Sequence, residues 1–123
     1  MTPDDVRELF AVFGPVDVRR MFSGAGIFAD QIMIGLIHQN VIYLKTDATS
    51  APAFDREGLG YFTYVRQGRE AALSSYRRMP DRLYDDPEEL AAWARAALAA
   101  AERGQAKRTG RARRPKQRQS RTR

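Results

Sequence analysis

The fold is decided by residues 27–46, which read IFADQIMIGLIHQNVIYLKT. Apolar and β-branched residues fill this stretch, and polar residues interrupt it at Asp30-Gln31 and at His38-Gln39-Asn40. Apolar runs separated by turn-forming residues are typical of short strands joined by tight turns. The stretch therefore predicts consecutive antiparallel strands, of which residues 41–46 are the clearest.

Segments on the N-terminal side of this stretch predict a helix and one more strand. Thr2 is expected to cap a helix that has Pro3 in its first position and ends at Gly14-Pro15. Residues 16–22 are interpreted as a strand, and residues 23–26 as a turn or bulge. The helix is expected to bury one face, formed by Val6, Leu9, Phe10 and Phe13.

The C-terminal side adds helices and a hairpin. A short helix closes at Gly58, strands at 61–66 and 71–76 flank Gln67-Gly68-Arg69, and a last helix runs from Asp86-Pro87 to Gly104. Arg19-Arg20 and Arg77-Arg78 are interpreted as basic pairs that are either solvated or paired with nearby acids. This order of elements predicts an α+β fold: a two-layer antiparallel sheet with helices on one side.

The last twenty residues differ in composition from the rest. Residues 1–103 have a net charge of −3, whereas residues 104–123 contain nine basic and no acidic residues. We expect a globular domain at 1–103 and a disordered basic segment at 104–123, because the latter has too little apolar surface to fold alone. Its basic residues are Lys107, Arg108, Arg111, Arg113, Arg114, Lys116, Arg118, Arg121 and Arg123.

A flexible polycation of this kind pairs with phosphates and releases their counterions without reading bases. The basic segment is therefore expected to bind DNA or RNA non-specifically, and the sequence leaves open which of the two. The alternative is an extension that only increases solubility. Membrane-surface binding is less favoured because the segment lacks apolar anchors.

Four fragments of the chain, taken in order, match the pattern of one known family: residues 20–28, 41–47, 62–69 and 86–94. In these fragments the chain resembles the N-terminal domain of the TfoX (Sxy) family, which is named for regulators of bacterial competence genes. The resemblance implies a secretion-chaperone-like α-β(3)-α-β(2)-α fold, a non-enzymatic regulatory or interaction role, and neither catalytic residues nor a cofactor. The chain departs from the family pattern at residues 73–80, and the basic segment stands where the competence regulators have a second, helical domain.

Features that could indicate catalysis are weak. Gly24-Ala25-Gly26 fits a loose dinucleotide fingerprint, but residues 27–37 do not form the helix that pyrophosphate binding requires. His38 is the only histidine, so we expect a surface or strand-end residue, and Ser74-Ser75 has no partner base. The absence of cysteine excludes thiolate chemistry and disulfides.

Two residue clusters have structural explanations. The five acidic residues between positions 81 and 89 form the first cluster. Helix capping explains them better than a metal site does, since their spacing matches no calcium-binding loop. Strand alternation predicts Tyr61 and Thr63 on one sheet face and Phe62 and Tyr64 on the other. Exposed strand aromatics could instead stack nucleobases, bind a protein or mediate homodimerisation. The clusters are Asp81, Asp85, Asp86, Glu88 and Glu89, and Tyr43, Tyr61, Phe62, Tyr64 and Tyr76.

The chain starts without a basic and apolar leader, and no stretch approaches the ~20 apolar residues that span a bilayer. We therefore expect a cytoplasmic protein.

Overall fold

A computed structural model describes residues 1–21 and 23–121, with side chains as far as Thr109. The elements, in chain order, are α1 (Pro3–Leu9), β1 (Asp17–Met21), β2 (Gly24–Ala29), β3 (Ile32–His38), β4 (Val41–Lys45), α2 (Ala51–Arg56), β5 (Tyr61–Arg66), β6 (Arg69–Arg78), a 3₁₀ helix (Asp81–Asp85) and α3 (Pro87–Arg121).

All six strands form one antiparallel sheet in the order β1-β2-β3-β4-β6-β5. The β2–β3 and β3–β4 turns lie at Asp30-Gln31 and Gln39-Asn40, where all four residues have positive φ. Such a backbone matches the twist of hairpin strands and suits Asn and Asp. The breaks predicted inside residues 27–46 are therefore confirmed.

The core lies between one face of the sheet and the helices. Val6 of α1, Phe54 of α2 and Leu90 of α3 are buried in it, as is Phe10 at the C-terminal cap of α1. Leu9 and Phe13 pack at its edge, so the four apolar side chains expected to face the core do so. The helix itself ends at Leu9 and not at Gly14-Pro15 as expected, because residues 10–13 form turns. The sheet contributes buried side chains that include Ile27, Ile34, Ile42 and Leu44. The predicted α+β class, with helices on one side of an antiparallel sheet, is confirmed.

Gly24 and Gly26 were expected to lie in a turn or bulge at residues 23–26, and this expectation is wrong. Both lie inside β2, where Met21 pairs with Gly24 across the first hairpin, and do not form a turn or bulge. A Cβ at Gly24 would collide with the carbonyl oxygen of Ile37 on β3, so the missing side chain permits close strand approach. The sheet consequently has one more strand before α2 than the resemblance implied.

The expected end of the last helix at Gly104 is wrong. Gly104 is not among the glycines with positive φ, and α3 continues to Arg121. Gln105, Ala106, Lys107 and Arg108 are all good helix formers, and the glycine at position 104 costs the helix only about 1 kcal/mol, so the helix passes through this position. The division into a domain at 1–103 and a separate basic segment at 104–123 stays a prediction.

Candidate nucleic-acid interface

The basic residues predicted to bind nucleic acid lie on or beyond the C-terminal part of α3. Lys107 and Arg108 are exposed on this helix, and Arg123 lies outside the described residues. The other six positions belong to the helical backbone of α3, namely Arg111, Arg113, Arg114, Lys116, Arg118 and Arg121.

Helical register sorts these positions into faces. Positions 107, 111, 114, 118 and 121 are spaced by four and three residues in alternation. Because an α-helix has about 3.6 residues per turn, this spacing places all five on one face. Arg113 and Lys116 occupy a different face. This spacing is visible in the sequence, but it places the basic positions on one face only when the segment is helical.

α3 is anchored to the domain just before its basic part. Ala97, Ala100 and Ala101 are buried, and Arg103 donates two hydrogen bonds to the carboxylate of Asp47. Bonds from Arg103, opposed by partial burial, lower the pKa of Asp47 to about 2. Lys107 follows Arg103 by one helical turn, so the basic segment leaves the domain from a fixed point.

The sheet face opposite the helices, which we call the outer face, carries an aromatic cluster. Phe62 and Tyr64 lie on this face with Tyr43, while Tyr61 contacts Arg77 on the helix side. The predicted alternation within β5 is therefore confirmed. The Phe62 ring centroid lies 5.0 Å from that of Tyr43 and 5.8 Å from that of Tyr64. Leu36, Phe62 and Tyr76 are buried within this cluster, so most of its aromatic area is already used in packing.

Basic residues surround the aromatic cluster. The strand register places one acidic residue, Asp17, on the outer face, and Arg19 lies 3.8 Å from it. Individual sequence positions did not reveal this concentration because the cations come from strands far apart in the chain. The outer-face cations are Arg19, Lys45, Arg66, Arg69 and Arg78.

A cleft of about 240 Å³ lies where α3 passes the outer face. Phe28, Met33, Lys45 and Tyr76 line it from the sheet, and Gln105 and Arg108 from the helix. The ammonium of Lys45 lies 5.0 Å from the Tyr76 ring centroid. Burial lowers the pKa of Lys45, and the nearby charge of Arg108 lowers it further, while the charge of Asp47 opposes this shift. The cleft is therefore electropositive with an aromatic wall.

The features that could have indicated catalysis do not converge. No helix follows Gly24 and Gly26 directly, as dinucleotide binding would require. His38 ends β3, with its Nδ1 3.4 Å from the Ser23 hydroxyl and its ring against Phe62. A second concavity of about 800 Å³ near Ser23 and Arg20 has neither histidine nor a carboxylate among the described residues that line it. It therefore supplies no acid–base pair.

The acidic cluster is used for capping and ion pairing. The Asp86 carboxylate accepts a hydrogen bond from the Glu89 backbone at 3.0 Å, which confirms the predicted cap of α3. Glu89 pairs with Arg82, and Asp81 lies 3.4 Å from Arg78. Within the described part of the chain, no group of three metal-ligating side chains comes together.

Comparison with known proteins identifies one family. The model of the TfoX N-terminal domain matches residues 8–101, which cover most of the chain. A search of curated proteins finds no match. None of the described helices has the length and apolar character needed to cross a bilayer.

Proposed function

The chain belongs to the TfoX N-terminal domain family and is thus a regulatory or interaction module, and we propose that its basic C-terminal segment binds nucleic acid phosphates non-specifically. In this proposal the protein acts in the cytoplasm and catalyses no reaction. Its nine basic residues bind DNA or RNA, while the folded domain supplies the regulatory contact.

The separation of charge is the observation that carries the proposal. A domain with a net charge of −3 is followed by twenty residues with nine positive charges. Seven of the nine are arginines, whose planar guanidinium groups form forked contacts with phosphate oxygens. The anchoring of α3 at Arg103 would hold this charge at one end of the domain.

Association of such a segment with a polyanion is driven by counterion release. Its affinity therefore depends steeply on salt and little on base sequence. An acidic domain also repels the polyanion, so contacts concentrate on the basic segment and on any basic face of the domain.

The test compares the full chain with a variant in which all nine basic positions are glutamine. Glutamine retains helix propensity and chain length while removing charge. Binding to a duplex and to a single strand is measured by electrophoretic mobility shift at two salt concentrations. We expect the variant to lose most binding at low salt. Equal binding by both proteins, or none by either, would contradict the proposal.

The second candidate is a protein-binding or homodimerising domain without a nucleic-acid role. The observation that favours it is the apolar cluster on the outer face, which no described helix covers. Light scattering after size exclusion tests self-association, and substitution of Tyr64 by Glu should abolish a dimer that uses this face. A monomer at all accessible concentrations would exclude the homodimer.

A further inference from the structure

The cleft between α3 and the outer face combines an apolar wall with two cations. Phe28, Met33 and Tyr76 form the wall, and Lys45 and Arg108 lie at the rim. The Arg19 guanidinium carbon lies 4.3 Å from the Phe28 ring centroid and covers part of that ring. Arg19 also donates to Gln31 Oε1 at 2.8 Å and lies 3.8 Å from Asp17, so it is itself paired. The cleft therefore presents aromatic surface and positive charge to the same ligand.

A nearby carboxylate is already engaged. Asp47 follows Lys45 by two residues and its charge acts to raise the pKa of Lys45, but its oxygens accept hydrogen bonds from Arg103 and from the backbone of Thr49 and Ser50. Lys45 and Arg108 thus act on each other as like charges. A bound anion would relieve this repulsion, whereas a bound cation or apolar group would not.

We propose that this cleft binds single-stranded nucleic acid, with one unstacked base against the Phe28 wall and the adjoining phosphate between Lys45 and Arg108. The inference deepens the proposed function, because the basic segment, which continues beyond Arg108, would carry the same strand onward. The cleft would make the protein prefer a single strand over a duplex, a preference that the polycation alone would not have.

The size of the cleft favours a single base. Its volume of about 240 Å³ is below the ~300–1,000 Å³ typical of pockets for larger ligands. In a duplex the bases are stacked and paired, so only phosphates would reach the rim. An unpaired strand can turn a base outward onto an aromatic side chain, and such stacking tolerates any base.

Charge also distinguishes this ligand from a second copy of the chain. On its strands the outer face carries five basic side chains against one acid, Asp17, and Arg78 also lies 3.4 Å from Asp81. Two such faces placed together would oppose like charges. A phosphodiester strand complements them.

The experiment measures binding of the full chain to a fluorescent oligothymidylate and to a duplex of equal length, by anisotropy. Lys45→Gln removes a rim charge, and Arg95→Gln removes an equal charge from an exposed position on α3 outside the cleft. Phe28→Leu removes the aromatic wall, and Tyr64→Leu removes a half-buried outer-face aromatic that does not line the cleft. Thermal unfolding establishes that each variant is folded.

We expect Lys45→Gln and Phe28→Leu each to weaken oligothymidylate binding by about tenfold. Their matched controls should change it by less than about twofold. Phe28→Leu and Tyr64→Leu should bind the duplex like the parent chain, because a duplex brings only phosphates to the rim. Unlabelled polyphosphate, which has charge but no bases, should displace the oligonucleotide less well than an equal charge of oligothymidylate.

Three results would overturn the inference: equal effects of Lys45→Gln and Arg95→Gln, unchanged binding by Phe28→Leu, or equal displacement by polyphosphate. A variant with glutamine at the other eight basic positions of the segment, and with Arg108 retained so that the cleft rim stays intact, is a separate arm. If it keeps the binding of the parent, the proposed function fails, while a cleft effect in the other variants would still support the inference.

Discussion

Arg103 on α3 and Asp47 before α2 form a two-point ion pair, with Nε donating to Oδ2 at 2.7 Å and Nη2 to Oδ1 at 2.9 Å. The same carboxylate accepts hydrogen bonds from the backbone of Thr49 and Ser50, both at 3.1 Å. One side chain therefore closes the turn that precedes α2 and holds the helix from which the basic segment extends.

Asp47→Asn should destabilise the domain modestly. Asparagine retains an oxygen for the turn but loses the charge that attracts Arg103. Because the pair is partly exposed, we expect a decrease in Tm of about 2–4 °C in thermal unfolding. Asp85→Asn, at an exposed position, is the control and should leave Tm unchanged. Equal Tm values for the two variants would show that the pair contributes nothing.

The same pair makes stability depend on pH in acid. Folding lowers the pKa of Asp47 from an ordinary value of 3.8 to about 2, so the folded state favours the ionised carboxylate. Its contribution is complete above pH 3.8 and is lost as the pH falls through about 2. Urea unfolding between pH 2 and 5 should show a shallower loss of stability in Asp47→Asn than in the parent chain. Parallel curves would contradict this assignment.

Gly24→Ala should be strongly destabilising, and Gly60→Ala should not. A methyl group at position 24 meets the backbone of Ile37, which cannot move without disturbing the sheet, whereas one at position 60 meets nothing within 4 Å. We expect a loss of about 1–3 kcal/mol in the free energy of unfolding for Gly24→Ala. Alanine at position 60 should be neutral or slightly stabilising, since it restricts the unfolded chain. Urea denaturation of both variants measures the difference, and similar stabilities would refute the predicted clash.

Arg77→Lys should destabilise the domain far more than Arg78→Lys. Arg77 is 5% exposed, and it donates to the Leu59 carbonyl from both Nε and Nη2 and to Asp55 from Nη2. Lysine cannot form this fork, so a buried acceptor loses its partners, at a cost of about 2 kcal/mol. Arg78 is exposed, and its replacement should be nearly neutral. The measurement is urea denaturation, and equal effects would mean that the fork is dispensable.

The helical register of the basic segment predicts that two double variants differ in the salt dependence of their binding to a duplex. Arg114→Gln with Arg118→Gln alters the five-residue face, while Arg113→Gln with Lys116→Gln removes the same charge from another face. If a duplex contacts the helix along that face, the first pair should reduce the salt slope of binding by about 1.8 and the second by much less. Equal slopes would favour the disordered polycation that composition predicts. Anisotropy titrations over a range of salt concentrations distinguish the two.

Local sequence determined most elements of the fold. Thr2 and Asp5 form the reciprocal cap of α1, and Asp86 caps α3. The turns at Asp30-Gln31, Gln39-Asn40 and Gln67-Gly68 also followed from residue type. These features depend on contacts within a few residues, which a single sequence displays directly. The excess of positive charge after residue 103 was equally visible, because composition needs no coordinates.

Tertiary structure alone decided the role of Arg77, the glycines of β2 and the outer face. Arg77 and Arg78 are adjacent and chemically identical, yet the sheet turns the first toward Leu59 and Asp55 and the second toward the outer face. Position 24 must lack a side chain because a Cβ there would collide with the backbone carbonyl of Ile37, thirteen residues away. Lys45, Tyr76 and Arg108 meet at one cleft only because β4, β6 and α3 pack together. Contacts between residues distant in the chain depend on strand register and helix placement, and these are set by burial of the whole core.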